Sequence, residues 1–226
     1  MKFELVGTTV PAVELELNAG ESVYTQRGGM VWETEGIDVS TNAKGGLMKG
    51  LGRMLAGESL FMSTYTSSKD GAKLAVGSTA PGDVVPYDIT GTPGLMAQKS
   101  AFLCAQPTVD IKIAFTKKLS AGAFGGEGFI LQEITGSGYV FLEVDGDKVE
   151  KLLAPGEVLK VDTGNVVAFE KTVTYEVETV KGLGNIFLGG EGLFLTKLVG
   201  PGRVILQTQN FNDFASRIIR MMPARG

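Results

Sequence analysis

Gly125-Gly126-Glu127-Gly128-Phe129-Ile130 and Gly189-Gly190-Glu191-Gly192-Leu193-Phe194 are two copies of one phrase, and Ala56-Gly57-Glu58-Ser59-Leu60-Phe61 is a third. Their glutamates stand 69 and then 64 positions apart, so close to a third of the chain is written three times. Such a repeat means a fold assembled from equivalent units. A second mark interleaves with the first: Gly20-Glu21, Gly82-Asp83 and Gly156-Glu157, spaced by 62 and 74, each lead into β-branched or apolar residues. Glycine ahead of a carboxylate is turn chemistry, because Gly takes φ > 0 and the acid accepts from nearby backbone N–H groups. All six acids read first as turn formers. The sharper alternative gathers Glu58, Glu127 and Glu191 near a pseudo-threefold axis as a cation or small-ligand site.

Outward from each phrase the pattern is period-two alternation. Residues 128–134, a turn at 135–138 and a return through 139–144 read as a hairpin; 192–198, 199–202 and 203–209 repeat it. The first copy has a longer turn, 67–71, before 72–76. Asp145-Gly146-Asp147, between Tyr139–Val144 and Lys148-Val149, carries a further hairpin signal. Trp32 in Met30-Val31-Trp32-Glu33 alternates like a core strand residue. With turns every eight to twelve residues or so, the expectation is an all-β fold of β-sandwich units. They are expected three times in one compact domain over 1–226, with repeats near 1–76, 77–144 and 145–209. The tail differs. Phe211, Phe214, Ala215, Ile218, Ile219 and Met222 keep helical spacing, so an amphipathic helix is expected over 211–222, with Asn210 or Asn212 as N-cap and Pro223 ending it. Its apolar face is expected to close one end of the β body; docking on a partner or membrane surface is the rival.

Composition bounds the chemistry. The chain has 226 residues, 43% hydrophobic and 20% charged, and its net charge of −4 gives no basic footprint for nucleic acid. Thirty-two glycines are about twice the usual share of roughly 7%, which suits many tight turns. There is no histidine, so Ser-His-Asp and Cys-His catalysis and the common zinc sites are out of reach. A non-enzymatic protein with no cofactor is expected. The single cysteine, Cys104, sits in an apolar run and reads as a buried structural thiol in a reducing compartment. Met1-Lys2-Phe3-Glu4 runs straight into a strand-like segment, and no window has the roughly 18 to 20 apolar residues of a membrane span, so a cytoplasmic place, with membrane periphery open, is expected.

The stretch from Lys44 to Gly57 is the least ordinary. Lys44, Leu47, Met48, Lys49, Leu51, Arg53 and Met54 mix cations and large apolar groups among glycines, with counterparts over 181–190 and, more weakly, 117–124. None matches the G-x-x-x-x-G-K-[ST] phosphate loop. The glycines allow close backbone packing about an axis; as a candidate partner or membrane loop, the same residues would place Leu and Met in a lipid surface and the cations at headgroups.

Gly50-Leu51-Gly52-Arg53-Met54-Leu55-Ala56-Gly57-Glu58-Ser59-Leu60-Phe61, the threefold Gly-Glu phrase and the tail Gln207-Thr208-Gln209-Asn210 resemble the mitochondrial-biogenesis family named for altered inheritance of mitochondria. The resemblance covers essentially the whole chain. It implies a β-sandwich fold related to the tryptophan RNA-binding attenuation protein, with three sandwich-like repeats placed pseudo-symmetrically, and no catalytic residues. Fungal relatives are associated with the organisation of inner-membrane complexes. The RNA-binding relative uses Lys and Arg between repeats and a bound tryptophan; no repeated basic triplet is present here, so neither ligand transfers. The resulting expectation is a scaffold or binding protein that organises complexes or sits at a membrane, with a protein partner, a membrane surface or a homo-oligomer as its company. The alternative is a small-ligand or cation-binding protein, or an unrecognised enzyme, using the Gly-Glu turns.

Overall fold

The computed structural model of the chain describes residues 1–26, 28–41, 62–117, 128–179 and 194–222. Among them are nineteen strands and one α-helix. After β1 (Lys2–Val6), a first set of six comprises β2 (Ala12–Leu17), β3 (Ser22–Gln26), β4 (Met30–Glu33), β5 (Ile37–Thr41), β6 (Met62–Ser67) and β7 (Ala72–Gly77). A second has β8 (Gly82–Asp88), β9 (Leu95–Gln98), β10 (Phe102–Ala105), β11 (Val109–Lys117), β12 (Phe129–Gly136) and β13 (Tyr139–Asp145). A third has β14 (Lys148–Leu153), β15 (Val158–Asp162), β16 (Val166–Glu170), β17 (Thr174–Thr179), β18 (Phe194–Val199) and β19 (Gly202–Gln207), before α1 (Phe211–Met221).

Pairing follows one rule through all three sets. The second, fourth and fifth strands join, as β3-β6-β5, β9-β12-β11 and β15-β18-β17. The first, third and sixth join as β2-β7-β4, β8-β13-β10 and β14-β19-β16. The second strand of one set then pairs with the third of the next, β3 with β10 and β9 with β16, which completes two six-stranded sheets. A four-stranded sheet, β1-β2-β7-β4, and a three-stranded one, β15-β18-β17, remain at the two ends. The third strand of each set is bulged at the same place, between Met30 and Trp32, Phe102 and Cys104, and Val166 and Ala168. Among the described residues no ladder joins β4 to β15, and both are edges.

Alternation decides which faces meet. In β2, Val13, Leu15 and Leu17 point inward while Glu14 and Glu16 are left to Lys73 and Lys2. Those three leucine-valine positions pack with Leu74 and Val76 against Val23, Tyr65, Cys104 and Phe141 of the next sheet. A second core joins the two six-stranded sheets through Tyr24, Phe102, Val140 and Leu142 on one side and Leu95, Ile111, Ile134 and Ile205 on the other. The third places Phe129, Leu131, Phe169 and Val204 against Leu198, with Leu159, Val161 and Tyr175 partly buried around them. Both faces of each six-stranded sheet are therefore covered. Burying one such side chain contributes about 1.5–3 kcal/mol. Cys104 is fully buried, as expected, and burial pushes its thiol pKa up.

Several local expectations give way to this arrangement. The strand-turn-strand units at 128–144 and 192–209 are not hairpins: β12 and β13 lie in different sheets, as do β18 and β19, and β6 and β7. Each turn carries the chain from one sheet to the facing one, because both edges of β13 are already taken by β8 and β10. Asp145-Gly146-Asp147 likewise crosses between sheets, with Gly146 at φ +69 and β14 paired to β19. The second punctuation mark divides. Glu21 and Glu157 are equivalent turn formers, accepting from Asn18 N at 2.8 Å and Ala154 N at 2.8 Å, whereas Gly82-Asp83 opens β8, a first strand. Trp32 is in a strand but not in the core; it is 42% exposed and donates Nε1–H to Glu14 at 3.1 Å. The helix starts as expected, with the Asn210 carboxamide oxygen accepting from Asn212 N and Asp213 N. Its apolar face does not close the β body. Phe211, Phe214, Ile218, Ile219 and Met221 are all exposed, up to 84% at Met221.

Candidate functional site

Glu58, Glu127 and Glu191 lie outside the described residues, and so do Lys44, Leu47, Met48, Lys49, Leu51, Arg53 and Met54. The described part brings a different set together. Glu143 and Asp145 stand two apart on β13, so their side chains share a face at the strand's end. They border a cleft of about 250 Å³ that Gln26, Gln98, Ser100, Thr79, Gln207 and the first residues of α1 also line. The site thus draws on all three sets of strands.

Each wall is positioned by backbone hydrogen bonds. Glu143 Oε2 accepts from Ser78 Oγ at 3.1 Å, Thr79 N at 2.8 Å and Thr79 Oγ1 at 2.9 Å. Burial nevertheless raises its pKa above the usual carboxylate value, with these bonds pulling the other way and Asp145 adding repulsion. Burial also raises Asp145, against a 2.8 Å bond that its Oδ2 accepts from Phe211 N at the start of the helix. Gln207 bridges the floor: its Oε1 accepts from Asp145 N at 3.0 Å while its Nε2 donates to Gly164 O at 2.9 Å. Gly164 is needed there, since a Cβ would come within 1.8 Å of Asn210 Nδ2.

Two glutamines hold consecutive sets together in the same way. Gln26, at the end of β3, donates to Lys99 O at 3.0 Å and Phe102 O at 2.9 Å. Gln98, at the equivalent end of β9, donates to Thr163 O at 2.7 Å. The cleft offers acceptors and amide donors around two carboxylates that burial keeps easier to protonate than usual, an arrangement suited to a small polar or cationic ligand. Among the described residues no group of three metal-ligating acids or cysteines occurs, and no ion pair reaches Glu143 or Asp145. The sequence signal for the pair is Glu143-Val144-Asp145, an acid-apolar-acid alternation with nothing to mark it out among 25 acids.

The other exposed feature is α1. Eleven residues span about 16 Å, and the helix is tied to the body at its N-terminal end by Asn210 and Asp145. Among the described residues no helix is long and apolar enough to cross a membrane.

Comparison with known proteins places the β body. An uncharacterized protein of Streptococcus pyogenes serotype M6 is 30% identical over 220 residues, covering 94% of this chain and 87% of the relative. A crystal structure of an S. pyogenes protein superposes with a TM-score of 0.77 at 27% identity, over 98% of this chain and 99% of that one. The profile of the mitochondrial biogenesis AIM24 family matches residues 3–209 and stops just short of α1. The chain belongs to the mitochondrial biogenesis AIM24 family.

Proposed function

We propose that this protein is a non-enzymatic β scaffold that sits on an anionic membrane surface through its C-terminal helix. The observation that carries the reading is α1 itself: a capped amphipathic helix whose Phe214, Ile218 and Ile219 are exposed to solvent. An exposed apolar stripe of this kind is a docking feature rather than a folding one. Charge favours lipid. The last sixteen residues carry Arg217, Arg220 and Arg225 against one acid, Asp213, while the chain as a whole is at −4. Cations this close in sequence to an apolar stripe suit a surface of anionic headgroups. The absence of histidine from the sequence removes the commonest general base and fits a scaffold better than a hydrolase.

Sedimentation of the full chain with vesicles tests this. The protein is expected to pellet with phosphatidylglycerol-containing vesicles, less with pure phosphatidylcholine, and to stay soluble once Phe214→Ser and Ile218→Ser are combined. Equal recovery of wild type and variant in the supernatant overturns it. A second reading, a small-ligand site, has the Glu143–Asp145 cleft behind it. A rise in Tm with calcium or with a diamine, abolished in Glu143→Gln, supports that reading, and an unchanged Tm ends it.

A further inference from the structure

Counted back from the ends of the second strands, Gln26, Gln98 and Asp162, the three sets align residue for residue. One step inside those ends, the neighbouring fifth strand carries a polar side chain every time: Ser63 opposite Thr25, Gln132 opposite Ala97 and Thr196 opposite Val161. All three are buried, Gln132 and Thr196 completely. Two of them are served by a nearby hydroxyl. Ser63 hydrogen-bonds with the Tyr65 phenol, and Thr196 Oγ1 donates to Thr163 Oγ1 at 3.1 Å. In the middle set both hydroxyls are missing: Ile134 stands where the first set has Tyr65, and Lys99 where the third has Thr163. Neither Nε2 nor Oε1 of Gln132 meets a donor or acceptor among the described residues.

The surroundings of this amide combine small neighbours with polar backbone. Residues opposite one another in adjacent strands share a face, so Gln132 heads a row that continues through Ala97, Ala168 and Ile205. The same row in the first set reads Ser63, Thr25, Cys104 and Phe141. Two alanines thus stand beside the long side chain where the first set has Thr and Cys. A bulge interrupts the ladder on each side of the row. Ala114 is extra between Ile113, opposite Gln132, and Phe115, and Val167 is extra between Val166 and Ala168. A bulged residue leaves backbone N–H or C=O groups outside the ladder. At β11 the bulge reaches the surface, with Ile113 40% exposed and Ala114 exposed, which brings solvent within one strand of the amide.

We infer that Gln132 anchors an internal hydration site: an ordered water binds its carboxamide over Ala97, in the core between the two six-stranded sheets, and is held from a second side by backbone freed at a bulge. A buried amide with no partner forfeits its hydration without return, and in native proteins such groups are ordinarily satisfied by protein or by ordered water. Water suits this place by size and by chemistry. It is the smallest molecule that both donates and accepts, as a carboxamide requires, and it needs roughly two to four polar partners. An ion does not suit it, because Leu95, Ile111, Ile134 and Ile205 of the same core supply no countercharge. The site is independent of what α1 binds.

A high-resolution crystal structure of the full chain is the first test. It is expected to show a water at hydrogen-bond distance, about 2.7–3.2 Å, from Nε2 or Oε1 of Gln132. Oxygen-17 magnetic relaxation dispersion reads the same site in solution by counting long-lived internal waters. Gln132→Leu is expected to lower that count by at least one against wild type. Gln132→Met, which keeps the unbranched shape, is expected to do the same and guards against misfolding of the leucine variant, with circular dichroism native in both. A dry amide in the crystal structure overturns the inference. So does an amide that reaches a protein group instead, or a count of internal waters unchanged in both folded variants.

Discussion

The junction between β9 and β16 and the open edges of β4 and β15 are built from equivalent strands, yet one is sealed and the other bare. At the internal junction Leu95, Ala97, Val167, Ala168 and Phe169 are all buried, and Gln98 reaches across to Thr163. At the open ends the corresponding positions hold Trp32 and Val31 against solvent and leave Leu159 and Val161 only partly buried, with Glu33 and Lys160 where the interior has apolar residues. Covalent continuity explains the contrast. An internal junction has a partner supplied at very high effective concentration by the same chain, so most of it can be apolar. An edge that faces water carries charge.

The sharpest way to break the comparison is to cut equivalent side chains on the two sides. Phe102→Ala, in the core between the six-stranded sheets, is expected to destabilise by about 3–5 kcal/mol in chemical denaturation. Met30→Ala, at the equivalent bulge of β4, should change stability by no more than roughly 0.5 kcal/mol, because its side chain is already exposed. Equal losses would mean that β4 is covered in the single chain. Next comes Gln98→Ala, which removes one of the two hydrogen bonds that the buried Thr163 carbonyl accepts and leaves that from Val166 N, and is expected to lower stability by roughly 0.5–1.5 kcal/mol in the same assay.

A smaller effect is electrostatic. Glu143 has a raised folded-state pKa because of burial. Its neutral form is favoured in the fold, so its contribution is full below the ordinary carboxylate pKa and is lost as pH rises through the raised value. Tm measured from pH 4 to pH 8 should therefore fall less in Glu143→Gln than in wild type over that window; parallel profiles would contradict the assigned cause. The smallest change belongs to α1. Ile218→Ser should alter stability by no more than about 0.5 kcal/mol, since that side chain is 47% exposed, while removing part of the apolar stripe proposed to bind membrane.

Parts of the site were legible and parts were not. The Asn210 cap and the helix could be read because capping and amphipathicity are local, within one turn of the residue concerned. Glu21 and Glu157 could be read as turn formers for the same reason. Glu143 and Asp145 could not be singled out, since what distinguishes them is burial by Ser78, Thr79 and the start of the helix, at least 60 residues away along the chain. Trp32 misled for the complementary reason: its alternation is that of a core strand, but β4 is an edge and leaves it 42% exposed.

By itself the sequence determined that this is an all-β chain with a thrice-written phrase and one capped helix at its end. Only the tertiary structure decided which strand pairs with which: that β12 passes to a different sheet from β13, that β3 reaches forward to β10, and that among the described residues β4 and β15 are edges. The physical reason lies in the strand itself. Side chains alternate with the residue, so a sequence records which face is buried; the pairing edge is made of backbone N–H and C=O groups, nearly identical at every residue, and its partner is chosen by the whole fold.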